Sequence, residues 1–484
     1  MIRDFNLEGQ TMAYRYGNRE QVSFLPASIE EYVGQDDVVR VYDTFVDALD
    51  LSELGIDIND DHVGNPEYDP RSMLKLLVYG YAYGHRSSRK LERAVYHNLT
   101  YIWLMGGLRP DHKTIARFRR DHQASLRKVL KQCARICMKL GMISGNTLFV
   151  DGTKMQGNCS LAHTWTKEKC EDTLQRVGQR IEQILAECEE TDRQESDESL
   201  VKMREELSDK KRLRAEVCQA MQELACEERN SLNMVDRESA LLKPYQGRSV
   251  SGYNVQVVVD KDNGLIVNTD AVTDSNDLQQ LSNQIKQAQD VVGGACKTAV
   301  ADAGYHSAKQ LKQVEESGIT VVVPSPQEAS KKQSDPNRRA GFIYDKERDC
   351  YICPVGHTAT FRRRKEPKGF RMYKVNGSIC KACERFGVCT KSREGRVVNR
   401  HCDTDAMERF ARQYRDNRRI FFLRKQKSEL PFGHFRRNLA FQSFLIRGIE
   451  GAKAEIALLA NGFNITRMVN MVGAKRLVNC LSTM

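Results

Sequence analysis

Two short stretches of the sequence share one form: Thr147-Leu-Phe-Val-Asp151-Gly152 and Thr298-Ala-Val-Ala-Asp302-Ala-Gly304. Each runs from strand-type apolar residues into a carboxylate, with a glycine close behind. A carboxylate at the end of a buried strand is costly unless a metal or a cation compensates it. A strand end places a side chain rigidly, and a nearby glycine lets backbone or substrate approach closely. The pair therefore points to a sheet that gathers Asp151, Asp302 and a distant glutamate around a phosphate. Such carboxylates suit Mg²⁺ (or Mn²⁺), which takes few protein oxygens and leaves room for phosphate oxygens and water. For either aspartate alone, a turn or cap residue is the competing reading.

A chain of 484 residues is too long for one simple core and implies about two to four domains. Lys and Arg total 75 against 64 acids, a net charge of +11 that favours a polyanionic partner. The basic residues cluster at His85–Lys90, Arg117–Arg120, Phe361–Lys365 and Phe435–Arg437. No export signal is read at the N-terminus, so the 15 cysteines suggest thiols or metal ligands rather than disulfides, and a cytoplasmic, nucleoid-associated place is expected. The late apolar stretch 441–463 is interrupted by Arg447, Glu450, Lys453 and Glu455, which excludes a lipid-facing helix. The sequence has neither a GxxxxGK loop nor a convincing GxGxxG, so no nucleotide cofactor is expected, and no GxSxG elbow.

Along the chain, Ser28-Ile-Glu-Glu31 has the form of a capping box, and Val38, Val41, Phe45 and Leu49 follow at helical spacing. Residues 70–140 read as short helices with Gly or Pro turns. Their basic faces, carrying Arg86, Arg89, Lys90, Lys113, Arg117 and Arg119, suit a helix-turn-helix-like DNA-binding unit or a helical packing domain with a solvated face. Residues 166–232 are almost free of Gly and Pro. Leu174, Val177, Ile181, Leu185 and Cys188 share one helical face, and Leu213, Val217, Met221 and Leu224 another, which predicts a helical hairpin serving as spacer, dimerisation arm or DNA clamp. Two strands then flank Asp262-Asn-Gly264, a hairpin turn. The order strand, insertion, hairpin, helix, strand, helix, strand predicts an α/β, ribonuclease-H-like mixed sheet with helices. Cys350-x-x-Cys353 and Cys380-x-x-Cys383, with Cys389, have zinc-ribbon spacing; five cysteines exceed one tetrahedral ion, and His357 is a competing ligand. The expected domains are a helical N-terminal unit, 1–145; a catalytic unit, 146–165 with 233–335 and 406–484; the hairpin, 166–232; and the cysteine-rich insertion, 336–405.

The stretches Phe149-Val-Asp151-Gly-Thr-Lys-Met, Gly252–Asp260, Val300-Ala-Asp302-Ala-Gly-Tyr-His-Ser307 and Glu429-Leu-Pro-Phe-Gly433 with Arg436-Arg-Asn-Leu and Phe444–Gly448, in this order, resemble DDE-type transposases of bacterial insertion sequences. The segment Pro110–Arg119 is similar to the N-terminal domain of the same proteins. The resemblance implies a ribonuclease-H-like fold and an Mg²⁺-binding triad of Asp151, Asp302 and Glu429, with Asp151 bridging two ions. Glu450 and Glu455 are rival third acids. The family's Tyr, Arg, Glu, Lys signature falls on Phe422, Lys425, Glu429 and Arg436. Lys154, Lys425, Arg436 and Arg437 are then DNA contacts. A structural Zn²⁺ on Cys353, Cys380, Cys383 and Cys389 is also implied, with Cys350 as substitute. The expected partner is double-stranded DNA, both element ends and target, held by a homodimer or larger assembly. The expected activity is metal-dependent strand cleavage and transfer; a non-catalytic DNA-binding relic and a general nuclease of the same fold are the alternatives.

Overall fold

The computed structural model describes residues 28–56, 67–192, 197–227, 229–243, 247–329, 341–365 and 369–483. The first 27 residues of the expected N-terminal unit and the side chain of Cys188 lie outside that description.

The N-terminal part is helical: α1 (Val39–Asp47), α2 (Pro70–Ala82), α3 (Ser88–His97), α4 (His112–Asp121) and α5 (Gln123–Lys139). Caps set the starts as the sequence suggests. Asp69 accepts from the amides of Arg71 and Ser72, with Pro70 in the first turn, and Asp111 accepts from Thr114 N–H at 2.7 Å.

The sheet begins with β1 (Thr147–Gln156). The hairpin arm follows as α6 (Lys167–Asp192) and α7 (Asp197–Cys226). They pack on each other through Leu174, Leu213, Val217 and Leu224, with Arg180 paired to Glu206 at 3.0 Å. Leu185, expected on the buried face, is exposed. Next come β2 (Val250–Asp260), β3 (Ile266–Val272), helix α8 (Leu281–Val292), β4 (Thr298–Val300), helix α9 (Ala308–Glu316) and β5 (Thr320–Val322). The expected hairpin turn is present, with Gly264 at φ 66°.

In space the strands run β3-β2-β1-β4-β5, with β2 antiparallel to β1 and to β3, and β1, β4 and β5 parallel. A short strand, Ala240–Leu242, shares the outer edge of β2 with β3. This is the ribonuclease-H-like arrangement. The cysteine-rich insertion is a separate antiparallel sheet of β6 (Ile343–Asp345), β7 (Cys350–Ile352), β8 (Thr358–Lys365), β9 (Phe370–Lys374) and β10 (Val397–His401), with its own small core around Tyr351 and Tyr373.

Then come α10 (Thr404–Asp416), α11 (Arg418–Gly433), α12 (Ile449–Val472) and a short helix, Ala474–Leu481. The sequence suggests an amphipathic final helix. Instead α12 is buried nearly all round, because β3 covers one side and α2 and α5 the other. One apolar core runs through both the N-terminal helices and the sheet. The expected boundary near residue 145 is therefore not marked by a break in packing.

Candidate active site

Asp151 does not end its strand. β1 continues to Gln156 because β2 pairs with it along that whole length, Asp151 opposite Val257 and Gln156 opposite Gly252. On the other side β4 pairs only with Thr147, Leu148 and Phe149. Asp151 thus stands at the point where the parallel neighbour stops, and its flank is open there. Asp302 follows β4 directly and caps the turn 303–305, its Oδ1 accepting from Gly304 N–H at 2.8 Å.

α11 crosses this opening and presents two adjacent faces. Arg424 and Ser428, four residues apart, point at β1. Ser428 Oγ donates to Asp151 Oδ2 at 2.8 Å, and the Arg424 guanidinium lies 3.1 Å from the same oxygen. Asp151 Oδ1 accepts from Gly152 N–H at 2.9 Å. Burial pushes the Asp151 carboxyl above its ordinary range, against the pull of Arg424 and Ser428; the neighbouring Asp302 charge pushes it further the same way. Lys425 and Glu429, one step round the helix, face an open cleft of about 930 Å³ shared with Asp151, Thr153, Arg436 and Arg437. Arg436 also donates to Thr153 Oγ1 at 2.7 Å.

Asp151 is therefore the acid that joins the other two: it feels the charge of Asp302 and shares the cleft with Glu429. The rivals are engaged elsewhere. Glu455 is fully buried, pairs with Arg86 at 2.9 Å and accepts from the amides of Leu445 and Ile446. Glu450 pairs with Arg127 and Lys453 outside the cleft.

The basic residues divide. Arg89, Lys90, Lys113 and Arg117 are exposed on α3 and α4, which pack together. Arg86 and Arg119 are not surface contacts. Arg86 is held by Glu455, the carbonyl of Ser443 and the ring of Phe441; Arg119 is buried, donating to Tyr81 Oη and to the carbonyl of Arg86. A basic residue on a short helix reads as solvated until its partner, here from α2 or α12, is seen. Lys154 donates to the carbonyl of Lys243 at 2.6 Å. Phe422 is exposed on the outer side of α11 with Arg418 over its ring.

Cys353, Cys380, Cys383 and Cys389 line one small pocket with His357, while Cys350 is buried on β7 and is not part of that wall. Cys353 Sγ accepts from His357 N–H at 3.2 Å and Cys380 Sγ from Arg396 N–H at 3.4 Å. Burial, and then the three other thiols, push the Cys389 thiol up. Among the described residues, the group whose ligand atoms all lie within 4.8 Å of one another is instead His401, Cys402 and Asp403, at the end of β10. Asp403 is there paired with Lys312.

Several residues at the acids carried no signal of their own in the sequence. Arg424 and Ser428 are visible only as an i, i+4 pair beside Lys425 and Glu429. Asp277, Gln256 and Tyr305, which lie next to both aspartates, have no recognisable spacing.

Residues 27–121 match the family described as Transposase domain (DUF772), and residues 352–469 match the family described as Transposase DDE domain. The second match includes Glu429 and the cysteine pocket; Asp151 and Asp302 precede it. No curated protein matches the chain significantly. Among solved structures the chain is similar to the cryo-EM structure of the piggyBac transposase synaptic complex with hairpin DNA, at 10% identity, covering 92% of this chain and 79% of that one with a TM-score of 0.32. That likeness is too distant to bear on the reading. Both matched regions are thus similar to transposase domains, the second of them to the DDE type.

Proposed function

We propose that this transposase cuts and joins DNA at the ends of its own element, using divalent metal held by Asp151, Asp302 and Glu429. The observation that carries the reading is the position of Asp151, flanked by Asp302 on the sheet side and sharing a basic cleft with Glu429 on the helix side. The donor set fits the ion. The carboxylates are hard oxygen ligands, and Arg424 is the one cation paired with Asp151 among the described residues, which leaves negative charge uncompensated. When bound, Mg²⁺ or Mn²⁺ supplies neutralisation of the phosphate charge and activation of a water or 3′-hydroxyl for in-line attack.

The chain's own residues do the rest. Ser428 and Arg424 fix the orientation of the Asp151 carboxylate. Lys425, Arg436 and Arg437 give the cleft a positive rim for the DNA backbone, and Arg89, Lys90, Lys113 and Arg117 a second basic face. The insertion adds exposed Arg362, Arg363 and Arg364 on β8 and a structural Zn²⁺ on Cys353, Cys380, Cys383 and Cys389; the N–H donors on two of the sulfurs favour thiolates. No described helix is long and apolar enough to cross a membrane. Joining two element ends calls for at least two copies on DNA.

The test is cleavage of DNA carrying the element's terminal repeats, with Mg²⁺ or Mn²⁺. Asp151→Asn and Asp302→Asn should each lower the rate at least about a hundredfold. Undiminished cleavage in these variants overturns the mechanism. Equal cutting of DNA without the ends indicates a general nuclease, and no cutting by wild type a DNA-binding relic.

A further inference from the structure

We infer that Asp277 is a fourth acid of the metal site, a carboxylate held ready to join Asp302 on the cation; the inference rests on the metal reading above. Asp277 lies between β3 and α8, upstream of Asp302 in the chain. Its Oδ1 accepts from Asn254 Nδ2 at 2.8 Å and from Gln256 Nε2 at 2.7 Å. Both amides belong to β2, are almost wholly buried, and stand opposite Lys154 and Gly152 in the register with β1. Gln256 is itself fixed, because the buried Tyr305 hydroxyl donates to its Oε1. The amide pair thus orients Asp277 while neutralising none of its charge, and no cation pairs with it among the described residues.

The other oxygen lies beside Gly304, in the turn that Asp302 caps. A Cβ built on Gly304 would lie 3.7 Å from Asp277 Oδ2 and 2.9 Å from Asp302 Oδ1. A Cβ on Gly152 would lie 2.5 Å from Gln256 Nε2 and 2.9 Å from both Asp277 Oδ1 and Tyr305 Oη. Asp277 and its partners therefore fill the space beside Gly152, whereas at Gly304 the close atom is Asp302's own Oδ1 and Asp277 Oδ2 is in ordinary contact. Neither glycine has a positive φ, so backbone conformation does not require them. The glycine after Asp151 is explained by the fourth carboxylate and the amide that holds it.

Charge points the same way. Burial first, and then the charges of Asp277, Asp151 and Asp302 in that order, hold the proton on the Tyr305 hydroxyl, with Arg424 opposing them. Three carboxylates against one guanidinium leave a deficit that one divalent ion meets, and Mg²⁺ or Mn²⁺ accepts oxygen ligands of this kind.

The experiment measures Mn²⁺ binding to the DNA-free full chain by titration calorimetry, alongside the Mg²⁺ concentration giving half-maximal cleavage. Asp277→Asn should weaken Mn²⁺ binding at least about tenfold and raise the half-maximal Mg²⁺ in parallel. Its melting temperature in EDTA should be no lower than that of wild type, since a repulsive charge is gone. Asp277→Ser should show the same loss, which keeps the test valid if the first variant folds poorly. Asp151→Asn is the benchmark. If wild type and Asp151→Asn bind Mn²⁺ alike, the metal reading itself fails; if Asp151→Asn loses the ion and both Asp277 variants keep wild-type affinity, only the fourth acid is overturned.

Discussion

Among single residues, Glu429 and Glu455 stand in opposite surroundings. Glu429 is exposed in the cleft, while Glu455 is sealed against Arg86. Glu455→Gln leaves a guanidinium in a buried place with its partner charge removed, and should cost about 3–5 kcal/mol of stability. Glu429→Gln should leave the melting temperature within about a degree and abolish cleavage. Thermal melts beside cleavage assays check both. This contrast also shows what residue-level reading can reach. Strand character and motif order single out Asp151, Asp302 and Glu429, and the fold puts Asp151 and Glu429 on one cleft. Arg86 and Arg119 are misread as surface charges, because helical periodicity says nothing about a partner on α2 or α12. Arg424, Ser428 and Asp277 are invisible for a related reason: their meaning lies in what β1 and β2 bring to them, and no local pattern encodes that.

Elements extend the point. The sequence places Asp151 at a strand end because Gly152 and Thr153 read as a turn. Yet β2 carries the pairing on to Gln156, and long-range pairing overrides the local signal. The hairpin at Gly264 and the two-helix arm are legible because each is decided within itself. So is the cysteine insertion, whose small sheet has a core of its own. Cys383→Ser should lower bound zinc to well under one ion per chain, whereas Cys350→Ser, off the pocket wall, should keep it; elemental analysis of the purified proteins decides. The same sheet contains an acid-sensitive point. Asp349 joins β6 to β9 by accepting from Tyr344 and Tyr373 at 2.6 Å each and from Arg371. Burial pushes its carboxyl up, but these three hold it below the ordinary aspartate range. Its contribution is therefore present above that range and lost as pH falls through the depressed folded value. Acid titration followed by tyrosine fluorescence should show this sheet loosening at low pH, and Asp349→Ala should remove that pH dependence.

For the whole molecule, the arm and the core behave differently. α6 and α7 pack on each other and touch the rest mainly through two short strands at their base, Thr164–Trp165 and Leu232–Asn233. Replacing residues 167–226 with a short flexible linker should shift the melting temperature of the remainder by less than about 3 °C. If the arm joins two copies, gel filtration on DNA should show the shortened chain as a monomer. α12 has no such independence, since it fills the space between β3, α2 and α5. Its place late in the chain fixes an order of events in time. Ribosomes add about 5–20 residues per second, so roughly tens of seconds separate the emergence of Asp151 from that of Glu429. Throughout that interval, and until α12 follows, the apolar faces awaiting α12 are uncovered. A half-made copy is thus a client for chaperones, its core bare until α12 has emerged to cover it.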